Sequence, residues 1–154
     1  MHVIEYDPRY KQDFIDFNTA WIMEHFGVLE KEDLETFETI EQSLQNGAMI
    51  YFAIDEDTQD AMATCMAKPM DGVTWELCKM GSNKTYNRRG AGNAVFEAAI
   101  QYAIDHGAKR LFMLSNSSLK AAMHMYETHG FHEIKLDDYE YARGNIAFER
   151  IISE

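Results

Sequence analysis

The segment from Val73 to Leu114 constrains this chain more than any other. A strand-type run, Val73 to Gly81, leads through a polar turn and a loop holding Gly90 and Gly92 into an amphipathic helix. That helix carries Val95, Phe96, Ala99, Ile100, Ala103 and Ile104 on one face, and Gly107 stops it. Lys109 to Leu114 then forms a second apolar run of strand length. Strand, helix and strand in this order predict a parallel crossover whose helix covers one face of a sheet. The loop adds a chemical expectation. Glycines at a helix start let the backbone amides of Arg88, Arg89, Gly90, Ala91, Gly92 and Asn93 approach an anion at the positive end of the helix dipole, and the two arginines add full charge.

The flanking sequence supplies the rest of a sheet. His2 to Tyr6 reads as a strand, Pro8 to Glu24 as a helix with Phe14, Phe17 and Ile22 near helical spacing, and Leu34, Phe37, Ile40 and Leu44 as the face of a second helix ended by Gly47. Ala48 to Ile54 and Ala61 to Lys68, joined by the turn Asp55 to Asp60, precede Val73 to Gly81 as an antiparallel meander. Ser115 to Ser118 offers N-caps for a fourth helix carrying Leu119, Ala122, Met123 and Tyr126 and ended by Gly130. Phe131 to Leu136 and Asn145 to Ile152 read as the last strands. The expected fold is α/β (α+β): a mixed, mostly antiparallel central sheet flanked by about four helices. With 154 residues, no repeat and no Pro/Gly/Ser-rich linker, residues 1–154 read as one domain.

Charge and cysteine content remove several function classes. Residues 1–60 hold fifteen acids against three bases and carry the whole formal net charge of −12. An acidic first third without a basic stripe argues against nucleic acid as a partner, and it would favour a cationic ligand. The longest mostly apolar stretch, Gly47 to Ile54, is far below the ~20 residues of a membrane span. With no leader-like N-terminus and only Cys65 and Cys78, the expected setting is a reducing cytoplasm, with Cys78 a buried thiol rather than a nucleophile. The six histidines lack ligand spacing, so no metal is expected. No Lys-Ser/Thr pair follows the glycines and no third glycine completes a dinucleotide fingerprint, which disfavours nucleotide hydrolysis and hydride transfer.

Three matches in order point to one family. Asn87-Arg88-Arg89-Gly90-Ala91-Gly92 resembles the Gln/Arg-x-x-Gly-x-Gly/Ala loop of the GNAT superfamily of N-acetyltransferases, which wraps the pyrophosphate of acetyl-CoA. Glu76-Leu77-Cys78-Lys79-Met80 resembles the strand that precedes that loop in many bacterial members, and Ser115 to Phe131 is similar to the family's second motif, an Asn followed by a helix ending Tyr-x-x-x-Gly-Phe. The resemblance extends through Asn18 to Phe26 and to Tyr141 to Ile146. Asn87, where the family prefers Gln or Arg, keeps an amide for hydrogen bonding; Ser82 and Lys84 stand where Val and Pro are frequent.

The resemblance implies an acetyl-CoA-dependent N-acetyltransferase acting on a primary amine of a small molecule. Met80, Gly81, Ser82, the loop from Asn87 to Asn93, and Asn116 are then the cofactor side, and Arg143 and Asn145 the acceptor side. Glu76 is the expected base, since a protonated amine must lose a proton before it attacks; its alternative is a structural carboxylate paired with Lys79 or another cation. Tyr126 occupies the position of the acid that protonates the leaving thiolate. A backbone amide near Met80 or Gly81 is the expected donor to the acetyl oxygen. A non-catalytic CoA-binding module and a peptide or protein N-acetyltransferase are the competing readings, and a homodimer is compatible with the domain's size.

Overall fold

The structure, a computed structural model, describes residues 1–86, 90–138 and 142–152. Seven strands form one sheet: β1 (His2–Glu5), β2 (Met49–Ile54), β3 (Ala61–Pro69), β4 (Thr74–Ser82), β5 (Arg110–Ser115), β6 (His132–Ile134) and β7 (Ile146–Ile151). Their spatial order is β1-β2-β3-β4-β5-β7-β6, and every neighbouring pair is antiparallel except β4 and β5. Five helices flank it: α1 (Lys11–Phe26), α2 (Lys31–Glu38), α3 (Ile40–Gln45), α4 (Ala91–Asp105) and α5 (Lys120–Thr128). The expected mixed, mostly antiparallel sheet is therefore the fold, and α4 is the crossover between the two parallel strands.

Strand alternation sends side chains to two cores. On one face Trp75, Leu77, Val95, Phe96, Ala99, Leu111, Tyr126 and Phe148 pack under α4 and α5. On the other, Ile50, Phe52 and Met66 meet Tyr10, Phe14, Phe37 and Ile40 from the N-terminal helices. Phe14, Ile22, Phe52, Val95 and Phe96 are fully buried, each removing roughly 1.5–3 kcal/mol worth of apolar surface from water.

The second expected helix is two. Thr39 leaves helical geometry at φ −119°, ψ 28°, and its hydroxyl hydrogen-bonds the Glu35 carbonyl, a competition with the helix ladder that breaks it between α2 and α3. The serine caps expected for α5 are also absent. The helix starts one turn later, after Leu119, because the Asn116 side chain accepts from the Ser118 amide and closes a turn there. The strand expected over Phe131 to Leu136 is paired only at His132–Ile134.

Candidate active site

Parallel pairing between β4 and β5 covers only Thr74, Trp75 and Glu76, opposite Arg110, Leu111 and Phe112. Beyond Glu76 the two strands part, and among the described residues no strand pairs with that edge of β4. A cleft of about 490 Å³ opens in the gap, lined by both strands, the end of α1, the start of α5 and residues 143–144.

A β-bulge accompanies the divergence. Thr64 pairs with Gly81 and Met66 with Cys78, so Lys79 and Met80 together oppose the single residue Cys65. Lys79 takes φ 51°, left-handed backbone that a side-chain-bearing residue holds only under outside constraint. Asn18 of α1, fully buried, donates to the Lys79 carbonyl at 3.1 Å and accepts from Trp21 Nε1 at 3.0 Å. The bulge drives β4 so close to α1 that a Cβ on Gly81 would lie 3.0 Å from Phe17 backbone and side chain.

Both expected catalytic residues line this cleft. Glu76 is buried, with Lys68 Nζ 4.0 Å from its carboxylate across the β3–β4 ladder. Of the cations considered for a structural Glu76, Lys79 or another, Lys79 pairs with Asp33 at 2.7 Å and Lys68 is the one beside Glu76. Tyr126 comes from the opposite wall, on α5, between the rings of Phe96 and Phe148. Burial pushes its phenol up to about 12, against a hydrogen bond with Ser115 that lowers it, so it holds its proton at neutral pH. Cys65 is buried and its thiol is pushed up by that burial, which keeps it protonated and inert.

The remaining expected residues divide. Met80, Ser82, Asn116 and Arg143 line the cleft; Gly81, Gly90, Ala91, Gly92, Asn93 and Asn145 are not among the described lining residues. Gly90 adopts φ 74° as the N-cap of α4. Ala94 is the first residue to bond back, to the Gly90 carbonyl, so the amides of Ala91, Gly92 and Asn93 point out of the helix end. Space around Gly90 and Gly92 is open. An anion can approach there. Asn87, Arg88 and Arg89 lie outside the described residues. Asn116 donates to the Arg143 carbonyl, and Asn145 holds the Ser117 amide and hydroxyl at 2.9 and 3.1 Å, so both fasten residues 142–145 to the β5–α5 turn.

Sequence reasoning missed Asp33. Fully buried, it takes Lys79 Nζ and Arg143 Nη2 on Oδ1, each at 2.7 Å, and Arg143 Nη1 and the Glu30 amide on Oδ2, at 2.7 and 2.8 Å. Burial alone would raise its carboxyl, but the bonds from Arg143 and Lys79 outweigh it and hold the group at about 2. Glu30 accepts from the Ala142 amide at 2.7 Å and from Arg143 Nη1 at 3.3 Å. Two acids of the first third, Glu30 and Asp33, are thus consumed by ion pairs. Glu76 is the one acid among the described lining residues, beside His25, Lys79, Lys120 and Arg143. Nothing in local sequence marks Asp33, since its partners are 46 and 110 positions away.

Among the described residues no group of three or more His, Cys, Asp or Glu is placed to hold a metal, and no helix is long and apolar enough to cross a membrane.

Comparison with known proteins agrees with this geometry. The model of the acetyltransferase (GNAT) family matches residues 14–131. No curated protein sequence matches. Among solved structures, an acetyltransferase of the GNAT family from Staphylococcus aureus Mu50 superposes with a TM-score of 0.87 at 23% identity, covering 99% of each chain. The paia N-acetyltransferase from Thermoplasma acidophilum, in complex with coenzyme A, gives 0.74 at 13% identity over 99% of this chain and 100% of its own. A putative acetyltransferase, yncA, from Salmonella typhimurium with acetyl-CoA gives 0.79 at 11% identity over 100% and 95%.

Proposed function

Because the chain belongs to the acetyltransferase (GNAT) family, we propose that it moves an acetyl group from acetyl-CoA directly to a primary amine of a small molecule, in the cleft between β4 and β5. The observation that carries this reading is that Glu76 and Tyr126 face one cleft from opposite walls, at the point where the two strands part. Two further features fit the cosubstrate. The edge of β4 that no described strand covers offers backbone groups to an extended amide-bearing arm, as in strand addition, and the open first turn of α4, which Arg88 and Arg89 precede in the sequence, suits a pyrophosphate. Asn116 stands beside the arm's path. Relatives of the same fold hold coenzyme A or acetyl-CoA, which supports that choice.

Acetyl-CoA supplies an activated thioester; the protein supplies proton handling and alignment. Glu76 accepts a proton from the incoming ammonium, directly or through one water, so that the nitrogen lone pair can form the new carbon–nitrogen bond. A backbone amide near Met80 or Gly81, at the end of the β4 bulge, donates to the acetyl oxygen as charge grows there. Tyr126 gives its proton to the sulfur as the carbon–sulfur bond breaks, and recovers one from the newly acylated nitrogen. Arg143 and Asn145 belong to the acceptor side, Arg143 in the cleft wall and Asn145 behind it.

Titration calorimetry with acetyl-CoA, followed by thiol release on a panel of amines, tests the proposal. Binding by the wild type and by Glu76→Gln, with amine-dependent thiol release in the wild type alone, is expected. Equal binding with no release from either would replace the enzyme by a CoA-binding module.

A further inference from the structure

Lys79 stands in a closed circuit of contacts. Its carbonyl accepts from Asn18 Nδ2, and Asn18 Oδ1 accepts from Trp21 Nε1. The Arg143 guanidinium lies over the Trp21 ring at 5.8 Å and forks onto Asp33. Asp33 returns to the Lys79 ammonium. The circuit passes through α1, α2, the bulge of β4 and residues 142–145, and through Trp21, Lys79 and Arg143 it joins the walls of the cleft.

We propose that Asp33 is a positioning residue for acetyl transfer: through Lys79 and Arg143 it fixes the β4 bulge and residues 142–145 against each other at the acceptor end of the cleft. This rests on the function proposed above. Three observations favour it over a purely structural role. A buried carboxylate between two cations is often no more stabilising than apolar packing of the same volume, so stability alone is a poor account of it. Left-handed backbone at a lysine persists only where its surroundings over-determine it, and here both its carbonyl and its ammonium are held. Every oxygen of Asp33 is used twice, which ties the two walls to one rigid point.

The test uses the full chain and an amine that the wild type acetylates. Asp33→Asn, Arg143→Gln and the double variant are compared for kcat, both KM values and melting temperature. Each single change is expected to lower kcat/KM for the amine by about tenfold or more while KM for acetyl-CoA stays unchanged, as for a misplacement of reacting groups. The double variant is expected to be no worse than the poorer single one, since both break the same link. Should Asp33→Asn not fold, Arg143→Gln keeps the Asp33–Lys79 pair and reads the same link. A folded Arg143→Gln with a lowered melting temperature but unaltered kcat/KM overturns the positioning role while leaving the proposed function standing, as do additive losses in the double variant. A wild type that acetylates no amine overturns the proposed function and this role with it.

Discussion

Lys68 and Glu76 are register partners on β3 and β4, and the ammonium of one lies 4.0 Å from the buried carboxylate of the other. The pairing sets a cation beside the one acid among the described lining residues of the cleft. The proposed role of Glu76 is to take a proton from the incoming amine. Glu76→Gln keeps the size and removes the basicity. It is expected to lower kcat/KM for the amine by about 10²- to 10⁴-fold and to leave acetyl-CoA affinity unchanged by calorimetry.

For Tyr126 the proposed duty is the opposite one. With its phenol pushed up to about 12 by burial, it remains a proton donor throughout the range in which amines are deprotonated. Tyr126→Phe is expected to reduce kcat by about 10²-fold without altering the shape of the pH–rate profile between pH 6 and pH 9, since the tyrosine does not titrate there. A profile whose alkaline limb vanishes in the variant would contradict that assignment.

Acid stability follows from Asp33. Its folded value, about 2, lies below its ordinary 3.8, so the unfolded chain binds the proton more readily. The stabilisation is complete above pH 3.8 and is lost as pH falls from there towards 2. Asp33→Asn leaves Lys79 and Arg143 facing a neutral amide and is expected to cost about 3 kcal/mol at pH 7. The difference between wild type and variant should shrink on acidification, as urea denaturation at pH 7, 4 and 2.5 would reveal.

Gly81 tests the close approach of β4 to α1. A methyl group there would sit 3.0 Å from the Phe17 backbone carbon and 3.2 Å from the Asn18 nitrogen, and main chain has little room to retreat. Gly81→Ala is expected to destabilise the fold by about 1–3 kcal/mol and to lower activity by shifting the bulge. Gly92→Ala meets open space and should leave the melting temperature unchanged.

What was legible in the sequence was local. Val95, Phe96, Ala99 and Ile100 announce α4 by their spacing, Gly90 and Gly107 mark its ends, and the strand runs on either side fix the parallel crossover. Glu76 and Tyr126 could be singled out because their motifs are contiguous, and the fold brings both to one cleft. The bulge at Lys79 was not legible, since one extra residue in a strand leaves no trace in composition or alternation. Neither was the Asp33 junction: among the eleven acids from Glu24 to Asp60, nothing but the folded chain distinguishes the one that meets a lysine on β4 and an arginine near the C-terminus. The break at Thr39 belongs to the same class, because a hydroxyl bonding back to Glu35 competes with a helix that the apolar spacing alone would continue.

The central claim is transfer of acetyl from acetyl-CoA to an amine in the cleft between β4 and β5. Its most direct test is simultaneous measurement of thiol release and acetylated amine, by mass spectrometry, over a panel of small primary amines and lysine peptides. The account predicts one acetylated small amine formed per thiol released, with both signals lost in Glu76→Gln. Thiol release only on peptides would contradict the small-molecule assignment, and binding of acetyl-CoA without amine-dependent release on any acceptor would contradict the claim itself.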